Sequence, residues 1–206
     1  MKSGFVVLVG RSNVGKSTLL NTLVGTKIAA TSFRAQMTRH MIHGVLNHPD
    51  GQAVFVDTPG VFQDHRDALT AKLTDNVKES LEGIDLIVYV VDPTREIGHE
   101  EKAVYGMIRH LDIPKLLVIN KSDLPIEERT HQASYEAWAE DFEELFRLSA
   151  LRNSHVQPLR DKVIDLLPEG GELYLDSQLT NVTQEFWVAE IIREKGTNRS
   201  SFLRGE

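Results

Sequence analysis

The sequence of 206 residues contains no cysteine. This excludes disulfide bonds, zinc sites built on thiolates and a cysteine nucleophile, and it agrees with a reducing compartment. Basic residues are also scarce, since 23 Lys and Arg stand against 30 Asp and Glu, which gives a formal net charge of −7. No overall positive field therefore favours nucleic acid or an anionic membrane, and either partner would need a local basic patch.

Long apolar runs are absent as well. The longest, residues 5–9 and 86–91, are far shorter than the roughly 20 residues that a membrane-spanning helix needs. Gly10 and Arg11 interrupt the first run before it could serve as the core of a signal peptide. We therefore expect a cytoplasmic protein with no transmembrane segment.

Short runs of Val, Ile and Leu alternate along the chain with longer segments of helical spacing. This alternation predicts an α/β fold with a six-stranded, mostly parallel sheet and helices on both faces. The turn sequence at residues 48–51 predicts a hairpin, which places one antiparallel strand at the sheet edge. The predicted strands are residues 5–9, 41–47, 53–56, 86–91, 115–119 and 145–148, and the predicted helices are residues 16–24, 69–81, 99–111, 134–146 and 156–167.

The composition divides the chain into three parts. Residues 1–168 carry the alternating pattern and form the first domain, and Pro168 together with the Glu and Gly residues that begin the segment 169–182 is typical of a linker. Within residues 183–206, an amphipathic helix ends at Lys195 and only a polar tail follows it. This last part is too short to bury a core of its own.

A phosphate-binding loop follows the first predicted strand. The sequence matches GxxxxGK(S/T) and stands between a strand and a helix, which is the context that such a loop requires. Backbone N–H groups and the positive end of the helix would surround a phosphate, the Lys16 ammonium would reach the β and γ oxygens, and Ser17 would ligate magnesium. The loop consists of Gly10, Arg11, Ser12, Asn13, Val14, Gly15, Lys16 and Ser17, with Thr18 next to it.

A second motif follows the third predicted strand. Asp57, Thr58, Pro59 and Gly60 come directly after residues 53–56, so the Asp57 carboxylate should emerge beside the phosphate loop, where a magnesium ion would lie. Gly60 would offer its N–H to a γ-phosphate, and the segment after it would rearrange when that phosphate leaves. The same four residues also make a good turn, so the interpretation depends on their position.

A third motif, Asn120, Lys121, Ser122 and Asp123, predicts specificity for guanine. The Asp123 carboxylate can accept hydrogen bonds from N1–H and from the 2-amino group of guanine, whereas adenine has no donor pair on that edge. Asn120 would tie this loop to the phosphate loop, and the stem of Lys121 would cover the base. Ser149 and Ala150 follow the last predicted strand and would supply an N–H to guanine O6.

The order of these motifs resembles the translation-factor-like bacterial GTPases, and further stretches resemble the Era family of ribosome-assembly GTPases. Those stretches are residues 17–21, 35–40 and 189–195, and the similarity covers about residues 4–195. The resemblance implies a P-loop NTPase fold of the Ras-like type. It also implies a C-terminal KH domain that clamps RNA with a GxxG loop, but no GxxG follows residue 171. We therefore expect the chain to end within that domain.

The resemblance implies further site residues. Thr38 would lie in the first switch and ligate magnesium together with Ser17 and Asp57. Asn13 is similar to the Asn with which related GTPases hold a potassium ion. Val61 stands where Ras-like enzymes carry Gln, so hydrolysis should be slow, with Lys16, Thr38, Gly60 and Asn13 as the catalytic set.

The function implied is a monomeric GTPase that binds GTP or GDP with Mg2+, hydrolyses GTP, and acts on 16S rRNA and the 30S subunit. Two alternatives stay open: a nucleotide-binding fragment without a response to RNA, and a tRNA-modification GTPase of the same superfamily. Peripheral membrane association is implied by the resemblance alone. Arg11, Arg34 and Arg39 are either contacts for RNA or an activator, or ordinary solvated residues.

Overall fold

The computed structural model describes residues 1–25, 42–57, 81, 83–109 and 111–174. Six strands form a single sheet: β1 (Lys2–Val9), β2 (Ile42–His48), β3 (Gly51–Asp57), β4 (Leu86–Val91), β5 (Lys115–Ile119) and β6 (Glu144–Arg147). Their order is β2-β3-β1-β4-β5-β6, with β2 antiparallel to β3 and all other neighbours parallel. The predicted α/β class and the antiparallel edge strand are confirmed.

Three of the described helices lie between strands of this sheet in the chain, and the fourth follows the last strand. They are α1 (Lys16–Val24), α2 (His99–Ile108), α3 (Gln132–Glu136) and α4 (Gln157–Leu166). The bounds of α1 agree with the prediction, and α2 ends three residues earlier than expected. The predicted helix at residues 69–81 lies outside the described residues except at its last position. Among the described helices, none has the length and apolar character needed to cross a membrane.

One predicted helix, residues 134–146, is wrong. The chain leaves the helical path after α3 and makes a 3-10 turn, Ala139–Asp141, before β6 begins. The Glu143 N–H donates to the Lys115 carbonyl at 2.8 Å, which starts the pairing of β6 with β5. Sheet pairing thus prevails over the local helical spacing. The apolar residues of this region join an aromatic cluster that comprises Tyr89, Tyr105, Tyr135, Trp138 and Phe142.

The alternation of side chains along β1 divides the core into two layers. Val6 and Leu8 point to the face covered by α1 and α4, whereas Val7 and Val9 point to the face covered by α2 and the aromatic cluster. All four side chains are fully buried. Each contributes about 1.5–3 kcal/mol relative to an exposed position. The two layers hold the sheet rigid, and its carboxyl edge therefore offers fixed positions for the loops that follow the strands.

The segment after α4 is attached to the opposite, amino edge of the sheet. Gln52 is buried, and its side-chain oxygen accepts the N–H groups of Leu173 and Tyr174 at 2.9 and 2.8 Å, while its amide donates to the Tyr174 carbonyl. The Ser3 N–H donates to the Pro168 carbonyl nearby. The first residues of the predicted linker are therefore bonded to the first domain, and the division of the chain at residue 168 stays a prediction.

Candidate functional site

The predicted motifs begin at the carboxyl edge of the sheet. Residues 10–17 follow β1, and residues 120–123 follow β5. Asp57 is the last residue of β3 and pairs with Leu8, two positions before the phosphate loop begins. Residues 149–150 come two positions after β6. Parallel strands thus bring segments more than 100 positions apart in the sequence to one edge, where ligands of open α/β sheets bind.

The phosphate loop has a backbone that few residue types could adopt. Gly10, Asn13 and Gly15 have φ angles of 144°, 66° and 101°. A Cβ atom at Gly10 would lie 2.2 Å from the carbonyl oxygen of Val90 in β4. The backbone of β4 therefore approaches Gly10 too closely for any residue that has a Cβ atom. The Lys16 ammonium donates to the carbonyls of Gly10 and Arg11 at 2.6 and 2.8 Å. Lys16 is therefore held across the mouth of the loop.

The amino end of α1 closes the loop. Gly15 is its N-cap in a left-handed conformation and, as a glycine, brings no side chain that could cap the first turn. Its leading N–H groups and the positive end of the helix dipole therefore face the interior of the loop. Ser17 lies in this first turn. The arrangement suits a phosphate group, because backbone donors and a fixed ammonium converge on one point.

Asn120 joins the three loops of the site. Its side chain is buried, its amide donates to the Val14 carbonyl at 2.9 Å, and its oxygen accepts the Ala150 N–H at 3.0 Å. A Cβ atom at Gly15 would lie 2.3 Å from the Asn120 amide nitrogen. The phosphate loop is thereby fixed relative to the loops that follow β5 and β6.

Both N–H groups of the dipeptide 149–150 are engaged in this structure. The Ser149 N–H donates to the Ser154 carbonyl, and the Ala150 N–H donates to Asn120. An N–H of this dipeptide that donates to guanine O6 would therefore have to be shared with its present acceptor, which is the Ser154 carbonyl for Ser149 and the Asn120 side chain for Ala150. Thr22 of α1 donates to the Ala150 carbonyl at 2.8 Å, which fixes the position of the loop.

The loop after β5 presents an open carboxylate. Asp123 is exposed, and it has no hydrogen-bond or ion-pair partner within the part of the chain that the structure describes. Lys121 has a φ of 62°, and its ammonium lies 2.5 Å from the Asp92 carboxylate. Asp123 is thus available to accept hydrogen bonds, while its neighbour Lys121 is fixed in place.

The Asp92 partner of Lys121 was not predicted. It directly follows β4, and its carboxylate also accepts the Thr94 N–H and hydroxyl at 3.0 and 2.8 Å. Burial raises the pKa of Asp92, but the hydrogen bonds from Lys121 and Thr94 outweigh this effect and the pKa is lowered. The place of Asp92 at the carboxyl end of a buried strand was the signal that could have identified it.

Arg11 is another residue whose surroundings the sequence did not reveal. Its guanidinium donates to the Glu101 carboxylate at 2.8 Å, and the two side chains are only 12% and 1% exposed. Arg11 is therefore not a solvated surface residue, and it is not free to contact RNA. Burial raises the pKa of Glu101, an effect that the nearby Arg11 charge partly offsets.

The donor set fits magnesium. Ser17 lies in the first turn of α1 and Asp57 is the last residue of β3, so a residue with a hydroxyl and a residue with a carboxylate stand at the two positions expected for magnesium ligands. Mg2+ takes oxygen ligands and is commonly held by one or two carboxylates together with substrate phosphates. No cluster of three or more His, Cys, Asp or Glu that could hold a metal occurs among the described residues. The remaining predicted site residues, Thr38, Thr58, Pro59, Gly60 and Val61, lie outside the described residues.

Comparison with known proteins identifies similar sequences and folds. Residues 5–121 match the family described as 50S ribosome-binding GTPase. The GTPase Era of Thermoanaerobacter sp. strain X514 is 40% identical over 196 residues, and that of Lactobacillus delbrueckii subsp. bulgaricus is 44% identical over 201 residues. In both cases the match covers 94% of this chain and 64% of the relative.

A solved structure shares the fold. The crystal structure of Era in complex with MgGDPNP and nucleotides 1506–1542 of 16S ribosomal RNA has a TM-score of 0.80 at 35% sequence identity. The match covers 95% of this chain and 67% of that chain. The chain thus spans about two thirds of the length of the proteins that it resembles.

Proposed function

The chain belongs to the Era family of GTPases, and on this premise we propose that it binds GTP and GDP with magnesium and hydrolyses GTP. The observation that carries the proposal is the position of Asn120. This side chain connects a loop built for phosphate with a loop that ends in the open carboxylate of Asp123. A ligand that carries both a phosphate chain and a guanine base satisfies both loops together.

The proposed hydrolysis is an in-line attack of water on the γ-phosphate. The Lys16 ammonium, which already faces the loop interior, would approach the β and γ oxygens, and the N–H groups of the loop would receive the charge on the β-phosphate. Ser17 and Asp57 would hold the magnesium ion, with Thr38 as a further ligand. When bound, magnesium neutralises charge on the β and γ oxygens.

Hydrolysis in this proposal is slow and depends on potassium. Val61 offers no polar group to orient the attacking water. Asn13 is exposed in the phosphate loop with a φ of 66°, a position from which its carboxamide could support a potassium ion. A second positive charge beside the phosphates would stabilise the transition state.

Phosphate release from GTP is the experiment that tests this function. We expect magnesium-dependent release by the purified chain, faster by about tenfold or more in KCl than in NaCl at the same ionic strength. Asn13→Gly keeps the positive φ and removes the carboxamide, so this variant should bind GDP normally and lose the potassium effect. Asn153→Gly is the matched control, because Asn153 has a φ of 51° outside the phosphate loop.

Two results of this assay would count against the proposal in different ways. Equal rates in the two salts would refute the role of potassium and leave the GTPase assignment intact. Failure of the native chain to release phosphate in the presence of magnesium would refute the GTPase assignment itself.

We further propose that the protein acts as a cytoplasmic monomer on 16S rRNA in assembly of the 30S subunit. The support is its similarity to an Era structure that contains nucleotides 1506–1542 of that RNA. The net charge of −7 opposes non-specific RNA binding, so any affinity should depend on sequence.

An RNA titration separates this role from the alternatives. The chain, loaded with a non-hydrolysable GTP analogue, is titrated across a salt series with RNA of the 16S 3′ end and with a tRNA stem-loop of equal length. We expect modest affinity and a preference for the 16S sequence. A preference for the tRNA would support the tRNA-modification alternative. Binding to neither RNA, with guanine nucleotide still bound, would support the nucleotide-binding fragment.

A further inference from the structure

Residues 92–101 connect β4 to the first turn of α2, and we call them the bridge segment. One end of this segment contacts the phosphate loop, and the other end contacts the loop that carries Asp123. No part of it belongs to the motifs described above. It nevertheless contacts both halves of the site through charged side chains.

The contact with the phosphate loop is made by two side chains. Glu101 accepts a hydrogen bond from Arg11 at 2.8 Å, and the carbonyl of that same Arg11 accepts the Lys16 ammonium. Arg95 donates to the carbonyl of the next loop residue, Ser12, at 3.3 Å. A change in the position of Glu101 would therefore displace the backbone on which Lys16 rests.

The contact with the guanine loop is made by Asp92. Its carboxylate lies 2.5 Å from the Lys121 ammonium and is 99% buried, since its side chain is 1% exposed. Lys121 stands between Asn120, which fixes the loop to its neighbours, and Asp123, the proposed acceptor for the guanine base. Asp92 thus holds the side chain of Lys121, which is next to Asn120 and two positions before Asp123.

Two tyrosines of the aromatic cluster form hydrogen bonds with the backbone of the bridge segment from the side of the core. The Tyr135 hydroxyl donates to the Arg95 carbonyl at 3.1 Å, and the Tyr89 hydroxyl donates to the Glu101 carbonyl at 3.4 Å. Burial is the main reason that the pKa of each tyrosine is raised, so both hydroxyls keep their protons as donors. The segment is therefore fixed on the core side as well as on the ligand side.

We propose that the bridge segment positions the two halves of the nucleotide site independently, Glu101 through Arg11 for the phosphates and Asp92 through Lys121 for the base. Both are positioning residues and neither touches the ligand. The proposal depends on the proposed function, because it requires that the chain binds guanine nucleotides. It differs from the role of Asn120, which ties the two halves directly to each other.

Two ratios of affinity measured on one protein test this proposal. The ratio of the Kd for GMP to the Kd for GDP reports the contribution of the β-phosphate, and the ratio for IDP to GDP reports the contribution of the 2-amino group of guanine. Both are obtained by competition against a fluorescent GDP in the presence of magnesium. Because each ratio compares two ligands of the same sample, the folded fraction of a variant cancels.

The two variants should give opposite patterns. A charge-assisted hydrogen bond corresponds to roughly 10- to 100-fold in an equilibrium constant. Because Glu101 and Asp92 act through another residue, we expect only part of this factor to appear as a change in ligand affinity. We expect Glu101→Gln to lower the GMP-to-GDP ratio about tenfold and leave the IDP-to-GDP ratio unchanged. Asp92→Asn should do the reverse. The matched controls Glu100→Gln and Glu96→Gln remove exposed carboxylates within the same segment and should change neither ratio.

A third variant acts from the core side. Tyr135→Phe removes only the hydroxyl that supports Arg95, so it should lower the GMP-to-GDP ratio about threefold without affecting base selectivity. This variant decides the question if Glu101→Gln does not fold. Unchanged ratios in the three variants, or an equal fall of both ratios in each, would overturn the proposal. Failure of the native chain to bind GDP would instead refute the proposed function.

Discussion

Replacing Gly15 with alanine is expected to weaken GDP binding by about 100-fold or more. Gly15 has a φ of 101°, and an added Cβ would lie 2.3 Å from the Asn120 amide nitrogen. The left-handed backbone costs an L-residue roughly 1–2 kcal/mol, and Asn120 would have to leave the position that joins the loops. Both effects act on the loop conformation that holds the phosphates. Equilibrium titration with fluorescent GDP measures the loss.

Gly25→Ala is the matched control for this variant. Gly25 also has a positive φ, 77°, but a Cβ atom there would meet no atom of the described residues within 4 Å, and the residue ends α1 away from the loop. We expect Gly25→Ala to lower the free energy of unfolding by about 1 kcal/mol and to leave the Kd for GDP unchanged. Equal effects of the two variants on GDP affinity would show that Gly15 acts through general backbone strain and not through Asn120.

Replacing Asp123 with asparagine should change the base that the site prefers. In the proposed site the carboxylate would accept hydrogen bonds from N1–H and the 2-amino group of guanine, whereas xanthine carries an oxygen at position 2 that can accept one from an amide. We expect the affinity for GDP to fall by about 1000-fold and the affinity for XDP to rise, since a site built to hydrogen-bond strongly rejects a ligand that leaves its polar groups unpaired. Competition of both nucleotides against fluorescent XDP measures the change.

The control for the base switch is Glu128→Gln. Glu128 is exposed in the same loop region, so this variant removes one negative charge near the site without removing the acceptor. We expect both affinities to stay within about twofold of the native values, because exposed charges are well screened. Undiminished GDP affinity in Asp123→Asn would contradict the assignment of Asp123 to the base.

Much of the fold could be predicted because the strongest signals in this sequence are local. A buried parallel strand is a short apolar run wherever it lies in the sheet, and β4 and β5 were predicted with their observed bounds. The phosphate loop could also be predicted from the sequence, because the loop itself requires positive φ angles at positions 10 and 15 and glycine adopts them readily. The helix expected at residues 134–146 failed because its apolar spacing serves the aromatic cluster and β6 instead.

The residues that the sequence did not reveal are those with distant partners. Arg11 and Glu101 are 90 positions apart, Lys121 and Asp92 are 29 apart, and Gln52 bonds to a residue 122 positions away. A lone Glu in a helix or a lone Gln in a strand has no pattern that distinguishes a buried partner from a solvated side chain, and among these residues only Asp92, directly after a buried strand, had a position that could have indicated its role. Burial and pairing arise only when the strands bring these segments together.

The sequence alone therefore determined the strand-helix alternation, the phosphate loop, the motifs from which magnesium and guanine binding are proposed, and the resemblance to a family of GTPases. Each of these depends on a spacing of a few residues that fixes backbone geometry or donor type locally. The tertiary structure decided how the loops are held, through Asn120, the bridge segment and the Gln52 contacts at the opposite edge. These depend on distances across the sheet, which no local spacing encodes.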